Sequence, residues 1–139
     1  MATPQTATDP GTVARRYYAV VSDLSSTEDD LRVLLSPAVK VVEHPNALTP
    51  RGATRDLEAT LAGFRAGKAL LSQQVFEVHE VLAAGPRVTV RAIWRGVIAS
   101  DAGPFRAGQH LTAHVAALLT VQDAQVTEHE TFDCYEPFD

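Results

Sequence analysis

The stretch PRVTVRAIWRGVIA, Pro86 to Ala99, alternates strictly. Val88, Val90, Ala92 and Trp94 fall on one side, and Thr89, Arg91, Ile93 and Arg95 on the other. A period of two is the signature of a strand with one buried face. Its neighbours carry the same pattern. LLSQQVFEVHEVLAAG (70–85) sets Phe76, Val78 and Glu80 against Val75, Glu77, His79 and Val81. QHLTAHVAALLTV (109–121) and QVTEHETFDCY (125–135) complete a run of four long strands. Gly85-Pro86, the segment 101–104 and the segment 122–124 supply turn residues between them. Links this short make the four strands antiparallel.

Upstream of residue 70 the period is helical. Val13, Tyr17, Val20, Val21 and Leu24 predict a helix over Val13–Asp23, capped by Thr12. In SSTEDDLRVLLS (25–36), Ser26 or Thr27 caps a second helix. Glu28, Asp29 and Asp30 occupy its positive first turn, and Leu31, Leu34 and Leu35 form its buried side. Pro37 is expected to stop it. Ala38–Glu43 reads as a strand. Thr54–Gly67 reads as a third helix with Leu57, Leu61 and Phe64 on one stripe. Helices precede strands, which predicts an α+β fold with a sheet packed on three N-terminal helices.

A length of 139 residues suits a single domain. Residues 1–11 are expected to be a disordered tail and 12–139 the domain. Apolar residues make up 45% and charged residues 21%, the balance of a globular protein. A net charge of −5 without any Lys/Arg cluster argues against nucleic acid or an anionic membrane surface as partner. No apolar run approaches the roughly 20 residues of a membrane helix. One cysteine, Cys134, excludes an internal disulfide and a cysteine-rich metal site, and the expected setting is the reducing cytoplasm.

VVEHPNALTPRG (41–52) is the odd segment. Two β-branched residues are followed by Glu43 and His44, then by Pro45, Asn46, Pro50 and Gly52. A strand that ends by delivering a carboxylate and an imidazole into a proline-rich loop suits the mouth of a pocket. A plain cap on a loop carbonyl is the ordinary alternative. On the last strand, Glu128, Glu130, Phe132 and Cys134 share one face, and His129, Thr131, Asp133 and Tyr135 the other. His110 and His114 point the same way. They lie about 13 Å apart along an extended strand, too far to share one metal ion, so no metal is expected.

The element order, together with RRYYAVVSDL, VKVVEHPNALTPRG and QVTEHETFDCYEPF, resembles the nuclear transport factor two-like superfamily. That group includes SnoaL-like polyketide cyclases, ketosteroid isomerases and limonene epoxide hydrolases. The resemblance covers almost all of residues 13–138. It implies a cone: a curved antiparallel sheet wrapped around three helices, enclosing an apolar cavity. It also implies a homodimer through the outer sheet face and cofactor-free acid/base chemistry on a small apolar polyketide-, steroid- or terpenoid-like molecule. Isomerisation, cyclisation, dehydration and epoxide hydrolysis all fall within this range.

Residue by residue, the resemblance offers Tyr17 as oxyanion donor and His44, before Pro45, in place of the isomerase base. Glu130 stands where the hydrolases carry a carboxylate. Asn46 and Asp133 match a hydrolase asparagine and a SnoaL-like aspartate. Trp94, His114, Phe64 and Phe132 complete the expected substrate contacts. The chain also departs from its relatives. Ala116 or Ala117 stands where the isomerases have a second acid, and Ile93 follows Arg91 where the hydrolases have an aspartate. Those losses keep a second reading open: a non-catalytic ligand-binding or dimeric assembly module.

Overall fold

The structure is a computed structural model that describes residues 9–138. Its first helix, α1 (Pro10–Ser22), starts three residues earlier than the spacing predicts. Asp9 rather than Thr12 is the cap, its carboxylate accepting from the Thr12 amide at 3.1 Å. Pro10 suits the first helical position, where its missing N–H costs nothing. The first eight residues of the expected tail lie outside the described residues, and Pro10 and Gly11 belong to the helix.

α2 (Glu28–Arg32) is a short helix capped by Thr27, the second of the two expected caps, with Asp30 bonding back to the Thr27 amide at 2.8 Å. It ends before Pro37 is reached. β1 (Leu35–Glu43) already contains that proline. The pairing of β1 shifts between Leu35 and Lys40, so no ladder bond is demanded of Pro37. β2 (Ala53–Arg55) takes residues the helical spacing assigns to a third helix. That helix, α3 (Leu57–Leu70), begins one residue after Asp56, whose carboxylate accepts from the Ala59 amide at 2.9 Å. It runs past Gly67 to Leu70.

β3 (Leu71–Ala84), β4 (Arg87–Ile98), β5 (His110–Gln122) and β6 (Gln125–Tyr135) form the expected antiparallel succession. The sheet order is β2-β1-β6-β5-β4-β3. β1 lies parallel to β6, so the six-stranded sheet is mixed rather than antiparallel throughout. Its direction is set by the long path through α3 and the meander and not by a hairpin. Register shifts between Leu71 and Gln73, Val78 and Glu80, and Thr120 and Val121 insert extra residues that bend the strands, and the sheet is curved and unclosed.

The concave face carries the core. Val88, Val90, Ala92 and Trp94 of β4 meet Leu111, Ala113, Val115, Ala117 and Leu119 of β5, all buried. α1 lays Val13, Ala14, Tyr17 and Tyr18 over them, and Leu31 and Leu61 close the far side. Burying one such leucine or valine side chain stabilises the fold by about 1.5–3 kcal/mol. The end of α1 is tied to the edge strand β3. Ser22 Oγ accepts from the Phe76 amide at 2.9 Å, and the Val21 carbonyl accepts from Gln74 Nε2 at 2.9 Å. Among the described residues, no helix is long and apolar enough to cross a membrane.

Candidate functional site

Where helices and sheet diverge, they leave a cavity of about 320 Å3. Trp94, Leu111, Ala113 and Val115 form its apolar floor. Leu70, Gly67 and, from the loop after β1, Leu48 close its upper side. Its polar end is made by Tyr18 and by four alternate residues of β6: His129, Thr131, Asp133 and Tyr135. A larger but shallow groove of about 600 Å3 runs between α2 and α3. Its charged walls are already engaged, Arg65 with Glu28 and Lys68 with the Ser26 carbonyl.

His129 is the hub of the polar end. Its Nδ1 lies 2.8 Å from the Tyr17 hydroxyl and its Nε2 lies 3.3 Å from that of Tyr18. Burial holds its pKa down, to about 4, so the ring is neutral and has one N–H. Both tyrosines are buried, and burial pushes both phenols well above their ordinary value. A neutral imidazole accepts from one of these hydroxyls and donates to the other, and the two tyrosines are equally buried, at 4% and 3% exposed. Tyr18 is the one of the pair that lines the cavity, and it lies close enough to Asp133 for that charge to raise its phenol.

Asp133 is the carboxyl at this end. Burial raises its pKa above the ordinary aspartate value. The Thr131 hydroxyl, donating to Oδ1 at 2.6 Å, pulls the other way, and the charge of Glu43 adds to the rise. Glu43 pairs with Thr131 in the sheet register. Burial alone would raise Glu43 too. Asn46 (2.7 Å), Arg55 (2.9 Å) and Thr49 outweigh it, and the net pKa is lowered. A fixed charge thus sits beside a carboxyl poised to exchange a proton. Burial, Asp133 and Glu43 together raise Tyr135 as well.

The sequence-predicted residues divide by strand parity. Trp94 and Asp133 line the cavity, and Tyr17 stands behind it through His129. His44 and Glu130 do meet, Nε2 to Oε2 at 2.6 Å, but on the convex face of the sheet. There the imidazole stacks on Phe132 at 4.3 Å and 12°. Val42 registers with Glu130 and Glu43 with Thr131, so the inward carboxylate is Glu43 and His44 faces out. This corrects the expectation that His44 and Glu130 serve the cavity.

Phe132 is 41% exposed on that same outer face. His114 also faces out, 2.9 Å from Glu136. Asn46 lies outside the cavity and organises the loop. It bonds Glu43 and the His44 carbonyl through Nδ2, and accepts from the Leu48 and Thr49 amides through Oδ1. Phe64 lines a separate pocket between the helices. Tyr18, His129, Thr131 and Tyr135 are the site residues the sequence reading passed over, although three of them share a face of β6 with Asp133. Among the described residues, no three His, Cys, Asp or Glu side chains converge as a metal site requires.

The same architecture recurs in solved structures. IdmH of Streptomyces antibioticus, a candidate polyketide cyclase, superposes with a TM-score of 0.76 at 22% identity over 90% of this chain and 91% of its own. AclR of Streptomyces galilaeus, a candidate hydroxylase, gives 0.71 at 14% identity over 90% of this chain and 74% of its own. A ketosteroid isomerase-like protein of Catenulispora acidiphila, solved with trimethylamine, gives 0.68 at 19% identity over 86% of this chain and 83% of its own. Likeness at these identities speaks for the fold alone. No curated protein matches the sequence. The SnoaL-like domain pattern matches residues 14–129, most of the chain. With that match, the helices, the curved sheet and the cavity between them, the chain belongs to the SnoaL-like domain family.

Proposed function

We propose that the protein is a cofactor-free enzyme that moves a proton on a small apolar carbonyl compound, of the polyketide or steroid kind, bound in the cavity beside Asp133. One observation carries this reading: a carboxyl with a raised pKa, Asp133, and a buried phenol, Tyr18, open onto the same apolar cavity. Asp133 takes a proton from the carbon next to the carbonyl. Tyr18 donates to the oxygen as enolate charge develops, in the tautomer whose His129 Nε2–H holds the phenol oxygen. The proton then returns at another carbon, or the enolate carbon attacks a second carbonyl of the same molecule, closing a ring as that carbonyl's π bond breaks and its oxygen takes the proton back from Asp133. A positioned base contributes about 10²–10⁴ in rate, and an oxyanion donor in a dry site about 10²–10³. That IdmH, which shares the fold, is a candidate polyketide cyclase suggests the ring-closing variant.

The test is exchange of the α-protons of β-tetralone in heavy water, followed by proton NMR. Native protein is expected to accelerate exchange, with a rate that rises with pH through a midpoint above the ordinary aspartate value, since the base form is the ionised one. Asp133→Asn should lower it about 100-fold or more. Unchanged exchange in that variant would end the assignment. Binding without any exchange by native protein would favour the second reading, a ligand-binding module, which the absence of a second acid at Ala116 or Ala117 also supports.

A further inference from the structure

Beside the main cavity lies a second compartment of about 210 Å3, between α1, α2 and α3. Tyr17, Leu31 and Phe64 supply its apolar walls. Gly67 and Gln74 line both spaces, so one side chain stands between them, that of Gln74. Its amide is fixed at both ends. Oε1 accepts from the Trp94 indole N–H at 2.8 Å, and Nε2 donates to the Val21 carbonyl at 2.9 Å. Turning the amide away would strand a buried indole N–H and a helix-end carbonyl together.

The wall is built from the neighbouring strand as well. Gly96 is the cross-strand partner of Gln74. A Cβ at Gly96 would lie 2.6 Å from Trp94 Cζ2, so only glycine lets the indole lie across that position and reach Gln74. On the helix side, a Cβ at Gly67 would meet nothing within 4 Å. Glycine in the interior of α3 costs about 0.5–1 kcal/mol relative to alanine, yet space for a side chain is present.

We propose that Gln74 is a size-selecting partition. It confines the ligand to the main cavity, which favours a compact fused-ring molecule over one with a long straight chain. Its removal joins the two spaces and admits such a chain, with the ring system beside Asp133 and the tail against Leu31 and Phe64. The proposal rests on the ligand-binding role of the main cavity.

Calorimetric titration with β-naphthol, and with β-naphthol carrying a straight heptyl chain, separates the two ideas. Native protein should bind β-naphthol and bind the heptyl compound about tenfold or more weakly, because the chain must force its way into filled space. Gln74→Ala should bind the heptyl compound about tenfold more tightly than native protein while changing β-naphthol affinity by no more than about threefold. Gln74→Leu loses the same two hydrogen bonds but keeps the bulk, and should retain the native cut-off. If Leu behaves as Ala does, or if Ala keeps the native cut-off, Gln74 only anchors α1 and the partition is refuted. Native protein alone decides the matter should Gln74→Ala not fold: equal affinity for the two compounds refutes the partition. Failure of native protein to bind β-naphthol refutes the pocket itself, and the partition with it.

Discussion

One residue of parity separates the two faces of β1 and β6, and it decides which side chains can do chemistry. His44 and Glu130 form a close pair, but their side chains are 34% and 40% exposed on the convex side. An ion pair that open to water contributes about 0–1 kcal/mol. His44→Ala should therefore leave β-tetralone exchange within about twofold of native and lower stability by no more than about 1 kcal/mol. Tyr18→Phe, by contrast, removes the proposed oxyanion donor and should slow exchange about 10²–10³-fold with little loss of ligand affinity. Comparing kcat and KM for the two variants checks both expectations. The sequence showed which residues of β6 share a face but did not say which face is concave. Phe132 sits among the outer set, and ordinary reasoning turns the apolar set inward. A strand that walls a binding cavity inverts the rule, because its inward side chains (His129, Thr131, Asp133, Tyr135) are there to be polar. Register with β5 resolves the ambiguity: Ala117 faces Thr131 and Val115 faces Asp133, and both β5 residues are buried.

At the scale of the element, β4 was the most legible part of the chain. Its even-numbered positions, Val88 to Ile98, are all buried, while Ile93 and Val97 on the other face are only partly so, since one face meets the helices and the other does not. Cap chemistry was legible at Thr27, where the capping box is local. It misled at Thr12, where Asp9 close by makes the better cap, and Asp56, inside the expected span of the third helix, caps the observed one. The parallel pairing of β1 with β6 was not legible, because nothing within either strand encodes the direction of a partner about 90 residues away. Gly96 shows how an element carries the site. Gly96→Ala places its new carbon against the Trp94 ring, and the indole must leave Gln74. Overpacking of this kind costs about 1–3 kcal/mol. Trp94 is the only tryptophan, so its emission reports the event directly. The expected result is a lower urea midpoint together with a shifted emission maximum, and a native spectrum in a destabilised variant would contradict this account of the wall.

For the whole molecule, the polar end of the cavity sets how stability answers pH. His129 has a folded pKa of about 4 against 6.5 for the ordinary imidazole. Between those values the unfolded chain binds the extra proton and the folded chain, with His129 held between the Tyr17 and Tyr18 hydroxyls, does not. Stability therefore falls as pH drops through this window, by about 2 kcal/mol between about pH 7 and pH 5 from this residue. Asp133 has the opposite sign. Its folded pKa is raised, so above the ordinary aspartate value the folded state holds a proton the unfolded chain has released. Stability then declines as pH rises through the folded pKa. Once ionised, the half-buried carboxylate is a burden on the fold. Urea midpoints across the pH range separate the two groups. His129→Gln should flatten the acid limb. Asp133→Asn, which keeps an acceptor for the Thr131 hydroxyl, should raise the midpoint near neutrality while slowing proton exchange about 100-fold or more. Stability gained with activity lost is the mark of a group retained for chemistry rather than for packing. If Asp133→Asn destabilises the protein at neutral pH, the carboxylate is a structural anchor and the proposed base must be sought elsewhere.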